Sequence, residues 1–268
     1  MEITPARQWA LKQIIFKDAL EEIDGHFKKL QIPYMPVKGA HLICTGMAEK
    51  MKERIIRDTD LMVEEEYMRE VSDYFVNLEN TELKIYHTEN YRPTETALIY
   101  YFGHAVMHLE IHCQLNIAER FLLPTKVLFD RATAVDTYRR IPSPEDALLI
   151  FLCHLQTHIP FEFRSSTFDE IDLLSSHAHF NWDVFWQHCP ATGIESFIYF
   201  ILRVFSKRRP IPLKPSRHYR YAELLAGRFT VAWYETLQGW ARRLLFDLPF
   251  VRQPGRLMLY KLLHALKR

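Results

Sequence analysis

The chain has 268 residues, 48% of them hydrophobic and 25% charged, with a formal net charge of +1, so it can bury a sizeable core in one large domain or two small ones. It contains neither a signal-peptide pattern nor an apolar run near the roughly 20 residues that cross a bilayer, so we expect no transmembrane segment. Four scattered cysteines without a CxxC pair argue against a disulfide framework and a structural zinc ribbon, and they favour a reducing, cytoplasmic location.

The N-terminal half of the sequence alternates between helical and strand patterns. Apolar residues at helical spacing predict a helix over residues 5–30 that is interrupted near Gly25. Residues 33–37 predict a short strand that ends in a tight turn, and residues 40–51 predict a second helix. Further elements are expected at 57–63 (strand), 64–78 (helix), 82–87, 96–102 and 105–115 (strands).

The pattern becomes wholly helical after Pro142. The sequence SPED at 143–146 is typical of a helix N-terminus, with a serine cap, proline at the first position and acids in the first turn, and an apolar helix follows to about His158. Additional helices are predicted at 167–178, 182–188, 193–207, 218–245 and 255–267. The sequence therefore predicts an α/β domain over residues 1–141 and an all-helical domain over residues 142–268.

Two acidic residues, Asp58 and Asp60, lie two positions apart in the predicted strand 57–63. Residues at that spacing point to the same face of a strand, so both carboxylates can converge on one cation. Burying like charges together is unfavourable without a partner, and a bound Mg²⁺ would supply one. The alternative is an exposed strand end at which these acids pair with Arg54 or Arg57, and the spacing taken alone favours that alternative.

Two other patterns support the metal interpretation. Lys38-Gly39 ends a strand and opens a helix, and glycine at such a turn lets backbone amides approach a triphosphate closely. On the strand predicted over 105–115, Glu110 offers a third carboxylate. Three carboxylates on neighbouring strands that face a glycine turn fit two-metal phosphoryl or nucleotidyl transfer.

Together these blocks resemble the uncharacterised nucleotidyltransferases of the polymerase-β-like superfamily. The family pattern is a strand ending in Lys-Gly, a helix, an Arg four residues before an Asp-x-Asp-Leu strand, and a strand with an apolar-acid-x-His pattern. The matching blocks are PVKGAHL (36–42), RIIRDTDLMV (54–63), HLEIHCQL (108–115), ALLIFLCHLQTH (147–158) and EIDLL (170–174). The resemblance covers about residues 33–180. It implies an α+β fold, in which a nucleotidyltransferase-like mixed sheet with flanking helices is followed by an all-helical C-terminal domain.

The resemblance also implies an activity and a set of site residues. The activity is metal-dependent transfer of a nucleotidyl group from a nucleoside triphosphate to an acceptor hydroxyl, with release of pyrophosphate and with Mg²⁺ or Mn²⁺ as cofactor. The acceptor stays open between RNA, a protein and a small molecule. By this resemblance Asp58 and Asp60 are metal ligands, and Glu110 is a third metal ligand or the base for the incoming hydroxyl. Gly39 is the residue of the phosphate-binding turn. Lys38 and Arg54 lie near the triphosphate or orient the acids.

Histidines surround the third acid on its strand. Those that share strand parity with Glu110 are His104, His108 and His112, so a zinc site is conceivable. We interpret His108 and His112 as the better candidates for lining the nucleotide cleft, because they flank Glu110, and we take His112 as nucleotide-binding. His154 and His158 are four residues apart but lack the glutamate of a metalloprotease motif, so a packed helix face is the favoured interpretation. The family pattern has histidines here too, so a cleft-facing role for one of them stays open.

Two alternative functions stay open. Gly39-Ala40 replaces the Gly-Ser of many relatives, and the third acid is Glu110 where Asp is common; both departures motivate a non-catalytic nucleotide- or partner-binding module. From Arg203 onward, fifteen Lys/Arg oppose three acidic residues, which motivates an RNA-modifying, toxin-type transferase. We prefer a simpler explanation of those charges, a solvated helical face that neutralises the acidic remainder of the chain.

Overall fold

The structure is a computed structural model that describes residues 5–51, 58–89, 92–114, 124–157, 165–214 and 219–229. The chain divides into two compact units. The first unit comprises Met1–Gln114 and Pro124–Ala147, and the second comprises Leu115–Leu123 and Leu148–Arg268. The predicted domain boundary between residues 141 and 142 stays a prediction.

The first unit is built on a five-stranded mixed sheet. Its strands are β1 (Met35–Val37), β2 (Asp58–Met62), β3 (Thr81–Glu89), β4 (Arg92–Phe102) and β5 (Ala105–His112). They lie in the order β1-β2-β5-β4-β3, with β2 and β5 parallel and all other neighbours antiparallel. β4 and β5 form a hairpin around Gly103, whose φ of 56° favours glycine. The predicted mixed sheet is therefore confirmed.

Helices flank this sheet in the first unit. They are α1 (Pro5–Leu30), α2 (Lys38–Cys44), α3 (Met68–Val76) and α4 (Thr125–Arg131), with short 3₁₀ turns at Met47–Lys50 and Glu65–Tyr67. The predicted interruption of the first helix near Gly25 is wrong, because α1 continues through it. Glycine inside a helix costs only about 1 kcal/mol relative to alanine, and the fully buried neighbours Ile23 and Phe27 anchor the helix on both sides of it.

The core lies on one face of the sheet, against α1 and α3. Met107, Leu109 and Ile111 alternate along β5 into this core, while the residues between them point to the opposite face. On β2, Leu61 belongs to the same core, and Thr59 donates a hydrogen bond to the sulfur of Met107 at 3.0 Å. Because side chains alternate along a strand, burying these residues places the acids of both strands on the other face.

A small hairpin borders β1, and the sequence patterns did not predict it. Its strands are β6 (Thr133–Ala134) and β7 (Arg140–Ile141), each too short to show a periodicity. The Tyr34 amide donates to the Tyr138 carbonyl, and the Arg140 amide donates to the Tyr34 carbonyl, both at 2.9 Å. These bonds occupy backbone groups beside the outermost strand of the sheet, which limits pairing with another chain there.

The described residues of the second unit are helical, in agreement with the sequence. The helices are α5 (Pro144–Thr157, which begins in the first unit), α6 (Ser165–Ser175), α7 (Trp182–His188), α8 (Glu195–Phe205) and α9 (Arg220–Arg228). Ser143 caps α5 as predicted, since its hydroxyl accepts a hydrogen bond from the Asp146 amide at 3.2 Å.

The helix predicted over 218–245 differs from the structure. α9 ends at Arg228, and Phe229 turns to an extended conformation with φ −70° and ψ 124°, so a continuous helix through this residue is wrong. Residues 230–245 and the helix predicted over 255–267 lie outside the described residues. Among the helices that the structure describes, none combines the length and the hydropathy of a membrane span.

Candidate active site

The acids on β2 and β5 are neighbours because of the strand register. In the parallel pairing of these strands, Asp58 lies beside His108 and Asp60 lies beside Glu110. Adjacent strands are about 4.8 Å apart, so the carboxylates of Asp60 and Glu110 start from adjacent backbone positions on the face opposite the core. The resulting side chains meet although they are far apart in the sequence.

Lys38, the first residue of α2, supplies a cation to this group. Its ammonium donates a hydrogen bond to Oδ1 of Asp60 at 2.6 Å. The two side chains are only 13% and 2% exposed, so the ion pair is shielded from water. Lys38 has a φ of 52°, in the left-handed region that a non-glycine residue occupies at an energetic cost. The positive φ of the turn thus belongs to Lys38, and Gly39 is buried in the first turn of α2.

His112 connects the two acids. Its Nε2 lies 3.3 Å from Oδ1 of Asp60 and 3.5 Å from Oε2 of Glu110. The imidazole is 15% exposed. One histidine therefore contacts a carboxylate on the neighbouring strand and a carboxylate two positions away on its own strand.

The charges of the group shift the pKa values of its members. Burial alone would raise the pKa of Asp60, but Lys38 and His112 hold it well below its usual range. Burial opposes protonation of His112, yet hydrogen bonds to Asp60 and Glu110 raise its pKa to about 9. Burial raises the pKa of Asp58, and repulsion from Asp60 and Glu110 raises it further. At neutral pH His112 is therefore protonated, and it adds a second positive charge to that of Lys38 beside the carboxylates.

The side chains present fit a divalent cation. Asp60, Glu110 and His112 each offer a ligand atom, and these atoms lie within 4.8 Å of one another. With Asp58 nearby on the same strand, three carboxylates face the single ammonium of Lys38. Carboxylate oxygens are ligands that Mg²⁺ and Mn²⁺ prefer, and imidazole also binds transition metals. A divalent cation bound here would replace the proton of His112 and offset the charge of these carboxylates.

The structure brings most of the predicted site residues to one place. Lys38, Asp60, Glu110 and His112 are in direct contact, as described above. Asp58 lies at the start of β2, half-buried and close enough to Asp60 and Glu110 to be influenced by their charges. The roles predicted for all of these residues, including phosphate contact by Gly39, stay predictions.

The other predicted residues are outside the described residues or are not members of this group of ligand atoms. Arg54 and His158 are outside the described residues. His104 lies in the β4–β5 turn, and His108 is exposed on β5. The group of metal-ligating atoms within the described residues includes neither of these two histidines. His154 is a half-buried residue of α5.

The sequence patterns did not reveal the double contact of His112 or the choice of Asp60 as the partner of Lys38. Strand parity showed that His112 shares a face with Glu110. The contact with Asp60 depends on the register between two strands that are about fifty residues apart in the chain.

A comparison with protein-family models agrees with the sequence resemblance. A family model described as "Uncharacterised nucleotidyltransferase" matches residues 4–209. Two solved structures from Helicobacter pylori are similar to this chain. One, provisionally named a nucleotidyltransferase, is 14% identical in sequence to this chain, with a TM-score of 0.41. The alignment covers 97% of this chain and 98% of that protein's chain. The other, JHP933, is 13% identical with a TM-score of 0.39, covering 94% and 98%. No curated protein matches the chain.

Proposed function

Because this chain belongs to the family of uncharacterised nucleotidyltransferases, we propose that it transfers a nucleotidyl group from a nucleoside triphosphate to an acceptor hydroxyl in a metal-dependent reaction. The observation that carries this proposal is the meeting of Asp60, Glu110 and His112 within 4.8 Å on one face of the sheet. Asp58 and Lys38 add a third carboxylate and a cation to the same face. The acceptor is an RNA, a protein or a small molecule.

In this proposal the acids hold the metal and the other residues position them. Asp58, Asp60 and Glu110 would bind Mg²⁺ or Mn²⁺ through carboxylate oxygens. When bound, the metal supplies positive charge that stabilises the phosphates and the attacking oxygen. Lys38 and His112 hold the Asp60 carboxylate in one orientation through its Oδ1 atom. Gly39 contributes the phosphate-facing turn that the family resemblance implies.

The transfer makes one bond and breaks one. The acceptor oxygen forms a bond to the α-phosphorus, and the bond from the α-phosphorus to the bridging oxygen breaks. Pyrophosphate leaves with that electron pair, and the proton of the hydroxyl passes to a base. Glu110 is the residue proposed for this base, because its side chain is 30% exposed and can reach a bound acceptor.

The proposal is tested by label transfer from α-³²P-labelled nucleoside triphosphates with Mg²⁺ or Mn²⁺. Each reaction contains added RNA or a metabolite extract, and label on the protein itself is also measured. Glu110→Gln and Asp58→Asn each remove one carboxylate and leave both members of the buried Lys38–Asp60 ion pair in place. Glu82→Gln is the matched control, because Glu82 is exposed and pairs with Lys84 on β3, a strand that carries none of the site residues. We expect transfer by the wild type and the control, and at least a hundredfold loss in the two site variants.

The Lys38–Asp60 ion pair favours a second candidate function. A lysine ammonium at 2.6 Å from Asp60 already satisfies part of the charge that a metal would satisfy. A non-catalytic module that binds a nucleotide or a partner without metal would use that arrangement as it stands. Calorimetry with nucleoside triphosphate in EDTA separates the two candidates. Tight binding without metal, combined with no label transfer to any acceptor, supports the binding module and contradicts the transferase.

A further inference from the structure

The second unit contains a groove that shares no described lining residue with the candidate active site. It has a volume of about 650 Å³ and runs between α8 and the face of α9. The described residues that line it are Tyr199, Tyr219, Arg220, Glu223, Leu224, Gly227 and Arg228. Five of these lie at a spacing of three to four residues along α9, so one face of that helix forms one wall. The volume is in the range of sites that hold a ligand of nucleotide size.

Two arginines stand near the ends of this groove. Arg220 and Arg228 are exposed and lie eight residues apart, which is about 12 Å along a helix. Neither has an ion-pair partner within the described part of the chain. A ligand that contacts both must therefore carry anionic groups at separated positions. Guanidinium groups pair with phosphate oxygens through two parallel hydrogen bonds. Because the two arginines are separated, a phosphodiester chain with several phosphates suits them better than a single small anion.

The acid in the groove does not oppose such a ligand, because its charge is already compensated. The carboxylate of Glu223 accepts a hydrogen bond from Nε of Arg203 at 2.9 Å and another from the Tyr199 hydroxyl at 2.9 Å. Among the described residues from Arg203 onward, this is the one acid, against seven Lys/Arg. With Glu223 paired to Arg203, the charge along the described lining of the groove is that of Arg220 and Arg228, which is positive.

An aromatic platform lies beside the arginines. The rings of Tyr199 and Tyr219 are stacked, with centroids 4.6 Å apart and planes inclined by 23°. Tyr199 is buried and its hydroxyl is bonded to Glu223, so it fixes the orientation of the half-buried Tyr219. Tyrosine rings held in this way are stacking surfaces for nucleic-acid bases. Leu224, 60% exposed, adds an apolar contact at the edge of the groove.

From these features we propose that the α8–α9 groove binds single-stranded nucleic acid, with phosphates at Arg220 and Arg228 and a base against Tyr219. Positive charge alone would also suit an acidic peptide or an anionic membrane. The combination of arginines with a fixed aromatic ring favours nucleic acid, because stacking uses a planar group that every nucleotide carries. This binding does not depend on the proposed transfer reaction, and it is measured without nucleoside triphosphate or metal.

Fluorescence anisotropy with a labelled twelve-nucleotide RNA, and with DNA of the same sequence, tests this proposal across a range of salt concentrations. Each phosphate contact in a single strand contributes about 0.7 to the slope of log K against log salt. Arg220→Gln and Arg228→Gln should each lower the magnitude of the slope by about 0.7, and the double variant by about 1.4. Arg208→Gln is the matched control for charge, because Arg208 lies outside the groove, near Asp169 and over the ring of Phe168.

Two further variants separate binding from folding. Gly227→Leu should fill the groove and weaken binding at least tenfold, while the fold is retained, because a Cβ at this position meets no atom within 4 Å. Tyr219→Ala should weaken binding at least fivefold, whereas Tyr219→Phe keeps the stacking surface and should bind like the wild type. Thermal melts of all variants verify that they are folded.

The outcomes decide both the proposal and the type of strand. Tighter binding of RNA than DNA identifies an RNA site, and equal binding identifies a site for either strand; both support the proposal. No binding of either oligonucleotide at 50 mM salt overturns it. Equal effects of Arg208→Gln and the groove variants also overturn it, because they indicate diffuse attraction to a basic surface. Competition by poly-glutamate that equals competition by unlabelled RNA indicates an acidic protein partner instead.

Discussion

Replacing Lys38 with methionine tests the central electrostatic feature of the candidate active site. The lysine ammonium is the closest cation to Asp60, at 2.6 Å, and both side chains are shielded from water. Methionine has a similar length and keeps a non-glycine residue at the φ of 52°, so the backbone cost is unchanged. The substitution therefore removes one positive charge and leaves the buried Asp60 carboxylate with His112 as its remaining hydrogen-bond partner of known geometry.

The size of the effect follows from the burial of the pair. Removing one partner of a buried ion pair typically destabilises a protein by about 3–5 kcal/mol, because the other charge stays buried without compensation. His112 moderates this loss, so we expect the free energy of unfolding of Lys38→Met in EDTA to fall by about 3 kcal/mol. Asp60→Asn should cost a similar amount, since it removes the carboxylate charge closest to the buried ammonium. The double variant should lose clearly less than the sum of the two.

The metal hypothesis adds a second expectation. A cation that binds the folded state stabilises it by about 2.7 kcal/mol when present at a hundred times its dissociation constant. In Lys38→Met the metal no longer competes with the ammonium for Asp60, so Mn²⁺ should stabilise this variant more than the wild type. In Asp60→Asn the metal should stabilise little or not at all. Urea unfolding in EDTA and in millimolar Mn²⁺, followed by circular dichroism, measures all of these changes.

Two results would refute this reasoning. An unfolding free energy of Lys38→Met within 0.5 kcal/mol of the wild type in EDTA would mean that the ion pair is not energetically important, since exposed pairs contribute about that little. Equal stabilisation of the wild type, Lys38→Met and Asp60→Asn by Mn²⁺ would mean that the cation binds elsewhere.

Three further expectations concern the framework around the site. Arg131→Met should destabilise the protein by about 3 kcal/mol in urea unfolding, because it removes the ion pair of the fully buried Asp146 with Arg131, including hydrogen bonds at 2.6 and 2.8 Å; a loss below 1 kcal/mol would contradict it. Gly25→Ala should raise stability by up to about 1 kcal/mol, since a Cβ there meets no atom within 4 Å, and a lower melting temperature would count against this. Burial and, to a smaller extent, repulsion from Lys29 lower the pKa of His26 below 6.5. The unfolded chain therefore binds more protons than the folded chain, and the free energy of unfolding should fall as the pH drops below 6.5. An NMR titration midpoint of His26 at or above 6.5 would contradict this.

Much of the fold is predictable from local patterns in the sequence. The strands on both sides of Gly103 are rich in aromatic and aliphatic residues, which favour strands, and the SPED sequence at 143–146 starts α5 where the capping rules place it. These features depend on neighbours within a few residues, which is the range that side-chain periodicity and capping describe. The two-residue period of side chains along a strand also places the members of each pair, Asp58/Asp60 and Glu110/His112, on one face.

Only the tertiary structure decided which of these side chains meet. The parallel register of β2 and β5 sets Asp60 beside Glu110 and brings His112 into contact with both. Lys38, whose backbone is in the left-handed region, donates a hydrogen bond from its ammonium to Asp60. The β6–β7 hairpin likewise could not be predicted from the sequence, since two-residue strands show no periodicity. It is held by hydrogen bonds between its own strands and by the bridge from Arg139 to Tyr34 beside β1. Local sequence determines which face of an element is apolar. The contacts between elements depend on register and packing over the whole chain, because those choices minimise the free energy of many distant residues together.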